Sequence, residues 1–393
     1  MRRTIHQHYF HGWTLAGAGL LVLVTAWSGC VGDSTPSEVG KSTDGNVGLD
    51  PCFFHGRRIQ GEPNDSFDEP LDAIFDGSGM AHLAGTIRTS DDVDVYALGP
   101  LRAGDRIVVD MGTPKSSLDP MLAIFDESGT IAFENDDRNY ELGQYDPFLN
   151  EVIRRDSTVD FLAIARAPLS VSSMATGAYD ALITVVPGGE APAPAEQIVV
   201  LDFDGGTVEI PHDDVYTVGA FDTGDISPEY AGMTTEVRNQ IVATVCENYE
   251  GLALDARVLP GDAVPDGCMY STLFFGGWSS DAFGIAQDID PYNQDRCDDA
   301  IIFAETFTPA RFGRTLTATE LGTAIGNVAS HELGHLLGLN HVANVYDLMD
   351  TTGEPTTFYL DQEFIASPLH EDIFPIGIQD GLLWLLETLG PEL

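Results

Sequence analysis

The sequence predicts two folded regions of different class, an all-β sandwich over residues 61–187 and an α/β (α+β) domain over 198–393. Three observations carry that division. From 61 to 187 short apolar runs alternate with polar turns and no helical period intervenes, the pattern of stacked antiparallel sheets. From 198 onward apolar strands are interleaved with segments of helical period, so strands and helices share one layered domain. Between them, residues 188–197 (GGEAPAPAEQ) follow Pro187, and a Pro/Ala/Gly composition of this kind makes a semi-extended linker. Residues 198–393 are therefore expected to fold without 61–187.

The N-terminus comes first in chain order. Residues 1–12 carry Arg2 and Arg3 with no acid, and residues 13–27 (WTLAGAGLLVLVTAW) form an uninterrupted apolar and small-residue run. A spanning helix needs roughly 20 such residues, so 1–29 reads as a secretion signal. The run ends in Trp27-Ser28-Gly29-Cys30, which resembles the lipobox of bacterial lipoproteins, with Trp27 where that family usually has Leu. The resemblance implies lipidation of Cys30; ordinary cleavage that removes Cys30 is the alternative. Either way the chain is exported, to the cell envelope as a lipoprotein or to the outside, and touches a membrane only through that anchor. Residues 30–60, rich in Gly, Ser, Thr and Asp, read as a flexible tether.

Composition narrows the partners. The 393 residues include 18 Lys+Arg against 62 Asp+Glu, a formal net charge of −44. Such a surface repels phosphate backbones, which excludes nucleic acid as the natural partner, and it lacks the basic patch that docks on anionic lipid. It favours divalent cations. A hydrophobic fraction of 43% excludes global disorder. Setting Cys30 aside, Cys52, Cys246, Cys268 and Cys297 remain, and an even number in an exported chain reads as two disulfides with three connectivities. Cys268 with Cys297 is preferred, because both flank one loop-rich insertion. A latency thiolate at Cys52 is the alternative, but Pro51-Cys52-Phe53-Phe54 lacks the Pro-Arg-Cys-Gly pattern of cysteine switches.

Within 61–187, strands are expected at 93–98, 106–110, 160–165 and 179–186, with a hairpin formed by 121–125 and 130–133 around Asp126-Glu127-Ser128-Gly129. Glu62-Pro63-Asn64-Asp65, the run 90–96 (SDDVDVY), Leu118-Asp119-Pro120 and Glu134-Asn135-Asp136-Asp137 together resemble the bacterial pre-peptidase C-terminal (PPC) domain. That resemblance implies a jelly-roll-like sandwich and acid clusters able to hold calcium through oxygen ligands. From the residues alone, the same acids read as solvated turns.

Within 198–393, strands are expected at 198–203, 254–259, 270–275 and 300–305, with helices at 234–249, from the capping box Thr317-Ala318-Thr319-Glu320 to about 337, and at 379–389. The capped helix holds His331-Glu332-Leu333-Gly334-His335. Histidines four apart lie about 40° round a helix and about 6 Å along it, so both imidazoles reach one ion, while Glu332 leans over that ion without ligating it. Gly338 allows the chain to leave the helix with positive φ and bring His341 back to the same ion. Three neutral nitrogens and an open position describe a catalytic zinc site. Met349 follows eight residues after His341. The run HELGHLLGLNH with Met349 resembles the metzincins, zinc endopeptidases, matrixins being the nearest branch. The resemblance implies His331, His335 and His341 as zinc ligands, Glu332 as general base and acid, and Met349 as the turn beneath the metal. Thr351 stands where some branches carry Tyr, so no tyrosine helper is expected.

Residues 270–275 would be the edge strand that receives substrate, or else an interior strand. Asp281, Asp288, Asp290, Asn293, Asp295, Asp298 and Asp299 crowd one loop where matrixins bind calcium. His212 and His370 have no ligand-like neighbours in sequence. The expectation is a monomeric, exported zinc metalloendopeptidase acting on protein or peptide substrates. The alternative is a non-catalytic zinc-containing adhesion or binding lipoprotein.

Overall fold

The computed structural model describes residues 62–168, 176–211 and 215–392. The expected secretion signal, Cys30, the tether, Cys52 and His212 lie outside the described residues. Among the described residues nine strands precede the expected linker: β1 (Leu71–Asp72), β2 (Met80–Ile87), β3 (Asp94–Gly99), β4 (Arg106–Gly112), β5 (Pro120–Phe125), β6 (Ile131–Asn135), β7 (Phe148–Val152), β8 (Asp160–Arg166) and β9 (Gly177–Val186). They form two sheets, ordered β1-β3-β8-β5-β6 and β2-β9-β4-β7. Among the described residues of these sheets, β1 and β3 pair in parallel and the other pairs are antiparallel. The β5–β6 turn is set locally, because Asp126 Oδ1 accepts bonds from the Ser128 and Thr130 amides and Gly129 takes φ 76°.

Side-chain alternation explains how these sheets are covered. On β5 and β8, Leu122, Ile124, Leu162 and Ile164 join Leu83, Ile107, Val109 and Ile183 of the other sheet in one hydrophobic cluster. The intervening Met121, Ala123, Phe125, Phe161 and Ala163 point to the opposite face and pack with Leu369 and Phe374, far along the chain. Both faces of these two strands are therefore buried, as their near-continuous apolar sequences require.

The second half begins with β10 (Gln197–Asp202), the small hairpin β11 (Thr207–Glu209) and β12 (Val215–Thr217), and helices α1 (Thr223–Ile226) and α2 (Thr234–Asn248). Strands β13 (Leu254–Leu259), β14 (Tyr270–Phe275), β15 (Gly284–Ala286) and β16 (Asp299–Ile302) follow, then α3 (Pro309–Phe312) and α4 (Ala318–Leu336). The chain closes with β17 (Ala366–Pro368), β18 (Ile378–Asp380) and α5 (Gly381–Thr388). The sheet order is β13-β10-β14-β16-β15, parallel throughout except for antiparallel β15. The edges are thus β13 and β15, and β14 is interior: Tyr270–Phe275 is bonded on both sides and does not offer the edge that was one reading of its sequence. Helix α4 carries the expected capping box, with Thr317 and Glu320 bonded reciprocally, and lies against α2, where a Cβ at Gly326 would come within 2.7 Å of the Thr244 Cβ.

Residues 187–196 have no regular structure, yet the halves they separate belong to one compact unit. Arg155 bonds Asp126 and Glu387 at once, the Tyr292 ring stacks on Trp384 at 4.3 Å and lies under the Arg154 guanidinium, and the Tyr292 hydroxyl donates to the Ala132 carbonyl. These contacts join residues of 61–187 to residues of 198–393. Cys268 and Cys297 are joined, their Cα atoms 5.3 Å apart, while Cys246 is exposed and free. Among the described residues no helix is long and apolar enough to cross a membrane.

Candidate metal centre

Helix α4 is buried along almost its whole length and delivers His331 and His335 from its last two turns. The Nε2 atoms of these rings are 3.1 Å apart, and that of His335 is 3.0 Å from His341 Nε2. His331 Nδ1 lies 2.7 Å from the Leu348 carbonyl and His335 Nδ1 2.8 Å from that of Leu339. A carbonyl only accepts, so each Nδ1 carries the proton and each Nε2 turns its lone pair toward the common centre. Burial, with the neighbouring rings, holds His335 down to about 3 and His341 well below the usual imidazole range; burial also lowers His331. All three are therefore neutral donors at physiological pH. Lone pairs at this spacing suit a small cation, since bonds of about 2.05 Å in a tetrahedron separate nitrogens by about 3.3 Å. The donor set fits zinc.

Gly338 makes the return to His341 possible. Its φ is 93°, and a side chain there would run into the backbone of Asp290, Pro291 and Tyr292. Trp384 Nε1 donates to the Leu337 carbonyl at the helix end. Met349 is fully buried and lies against Gly334, between the two helical histidines in sequence, with its amide bonded to Asp347 Oδ1. His331, His335, His341 and Met349 thus converge.

Glu332 lies against edge strand β15. It is 5% exposed; burial pushes its carboxyl up to about 8, opposed by a bond from the Ala286 amide. A cation beside it favours the carboxylate. The Ala286 amide and Gly284, which sits against the Glu332 carboxyl, escaped the sequence reading, and the three-residue strand that carries them shows no period. His370 also proves to be a neighbour of the site, its amide donating to the His341 carbonyl and its ring facing Asp372. Thr351 Oγ1 is buried without a hydrogen-bond partner.

The acid groups divide. Glu62, Asp65 and Asp92 bring carboxylate oxygens within 4.8 Å of one another. In the 288–298 loop, burial lifts Asp288 to about 7 and Asp298 to about 8, with Asp290 and Asp295 adding to both.

No protein-family model matches the chain, and no curated protein matches it. Solved structures similar to it include the pre-peptidase C-terminal domain of collagenase from Bacillus anthracis, 12% identical over 32% of this chain and 99% of that one, with a TM-score of 0.23. The archaemetzincin of Methanopyrus kandleri is 12% identical over 43% of this chain and 87% of its own, TM-score 0.23. A zinc-dependent peptidase from Methanocorpusculum labreanum is 13% identical over 48% and 99%, TM-score 0.24.

Proposed function

We propose that the chain is a zinc metalloendopeptidase of metzincin type that hydrolyses peptide bonds in extracellular proteins. Three imidazole Nε2 atoms facing one centre, beside a buried carboxyl on the helix that carries two of them, carry this reading. His331, His335 and His341 would hold the metal. Zinc, when bound, supplies a Lewis acid that polarises the scissile carbonyl and acidifies a water. Glu332 takes the proton from the attacking water and hands it to the leaving nitrogen. Edge strand β15 receives the extended substrate through main-chain bonds, which sets the scissile bond beside Glu332. Met349 supports the floor of the site.

Residues 61–187 serve as a jelly-roll-like accessory domain, with the Glu62, Asp65 and Asp92 carboxylates as its calcium ligands. The protein acts as a monomer and is exported, held at the envelope through a lipid on Cys30 or released outside the cell; the export and the anchor rest on residues 1–30 of the sequence.

The deciding experiment pairs zinc analysis with digestion of an unfolded protein. Glu332→Gln should keep about one zinc per chain, because the imidazoles remain, and lose about 10²–10⁴-fold in cleavage. His335→Ala should lose metal and cleavage together. A non-catalytic adhesion lipoprotein predicts no cleavage by the wild type; a Glu332→Gln variant that digests as fast as wild type removes Glu332 from the mechanism.

A further inference from the structure

The peptide that presents the third histidine is gripped from one side by a single side chain. Gln379 Oε1 accepts from the Asn340 amide and Gln379 Nε2 donates to the Asn340 carbonyl, both at 2.8 Å. Gln379 is 1% exposed and Asn340 3%, so no water substitutes for either bond. His341 is the next residue. On either side of Gln379, Ile378 donates its amide to the Gly129 carbonyl at the β5–β6 turn, and Asp380 caps α5 by accepting from the Leu383 amide. Asn340 also reaches the N-terminal sheets itself, with Nδ2 3.5 Å from Glu134 Oε1.

We infer that Gln379 is a positioning residue for His341, and that the N-terminal sheets act through it to hold the third metal-binding imidazole in place. Two bonds from one amide to both polar groups of a residue fix that residue's translation and its rotation about the chain, which one bond does not. The two side-chain bonds of Gln379 go to the main chain of Asn340, and its effect reaches the site through that main chain. The metal centre then includes residues 129–130, some two hundred positions away in sequence, as outer support. An outer-shell partner of a metal ligand typically contributes 10–100-fold in affinity. The inference rests on the zinc-site reading.

The test uses the full chain with Zn²⁺ and Co²⁺ as probes. Gln379→Met keeps the length of the side chain and removes both bonds. It should bind zinc about 10–100-fold more weakly in chelator competition and change the visible ligand-field spectrum of the cobalt form. Val199→Ala, in the core outside the N-terminal sheets, lowers Tm without removing either bond to Asn340 and should leave zinc affinity and the cobalt spectrum as in wild type, which separates positioning from general loosening. If Gln379→Met fails to fold, Gln379→Asn keeps the amide but is one methylene shorter, so it cannot hold both groups of Asn340, and must still bind zinc more weakly than wild type. A folded Gln379→Met, or in its place Gln379→Asn, with wild-type affinity and spectrum overturns the inference and leaves the zinc site standing. A wild type that binds neither ion overturns both.

Discussion

At residue scale, the space around Glu332 is set by Gly284. A methyl group there would come 2.5 Å from Glu332 Oε1 and 2.7 Å from its Cγ, so the carboxyl must move or the edge strand must. Gly284→Ala should therefore retain zinc, since no imidazole is touched, and lose about 10²-fold in kcat/KM, the scale of a 1 Å misplacement of a reacting group. Steady-state cleavage beside metal analysis checks it, and an unchanged kcat/KM would show that Glu332 has room to yield. The motif residues were legible in sequence because helical geometry ties His331 to His335 and because only a glycine suits the positive φ at 338. Gly284 and Gln379 were not. Gln379 meets Asn340 across 39 residues, and no local period announces a contact of that range.

Elements were legible where apolar residues gave them a clear period. Strands β13 and β14 begin and end where the sequence places them, and the capping box at Thr317 starts α4. Strand β2 went unseen because Ala81, Ala84 and Gly85 give it little apolar signal, and β15 because three residues hold no period. The cost of that omission was functional: with β15 missing, β14 stood as a possible edge. Both strands lie inside the loop closed by Cys268 and Cys297, 29 residues apart. Closing a loop of that length stabilises the fold by about 3–4 kcal/mol on chain-entropy grounds. The double variant Cys268→Ser/Cys297→Ser should accordingly lose about that much in denaturant unfolding and expose β15 to proteolysis before the rest. Wild-type stability in the variant would show that the bridge restrains nothing the sheet does not already hold.

For the whole molecule, the apolar runs 121–125 and 161–165 carried more information than a two-layer reading extracted. A strand with one wet face alternates; these do not, because Leu369 and Phe374 cover the second face. The same packing buries charge. Burial is the leading cause that lifts Asp94, Asp160 and Asp347 to about 6, Asp137 and Asp288 to about 7 and Asp298 to about 8. Each folded-state value lies above the unfolded one, so between about pH 4 and 8 the folded protein holds protons that the unfolded chain releases, and stability falls as pH rises. The buried imidazoles of His331, His335 and His341 act the other way: their values are lowered, and they contribute stability above the unfolded value of about 6.5 that is lost as pH falls through it. Six carboxyls outweigh three imidazoles near pH 5, and toward pH 8 the imidazoles have no further effect while Asp298 still titrates. The net charge of −44 adds self-repulsion in the same direction as the carboxyls. Metal-free protein should therefore melt at a higher temperature at pH 5 than at pH 8, and added NaCl should recover part of the difference by screening. Thermal scans of the EDTA-treated chain across that range test it: a Tm that is flat or climbs toward pH 8 would mean that these aspartates are solvated and paired in solution, and that the buried-acid account of the fold is wrong.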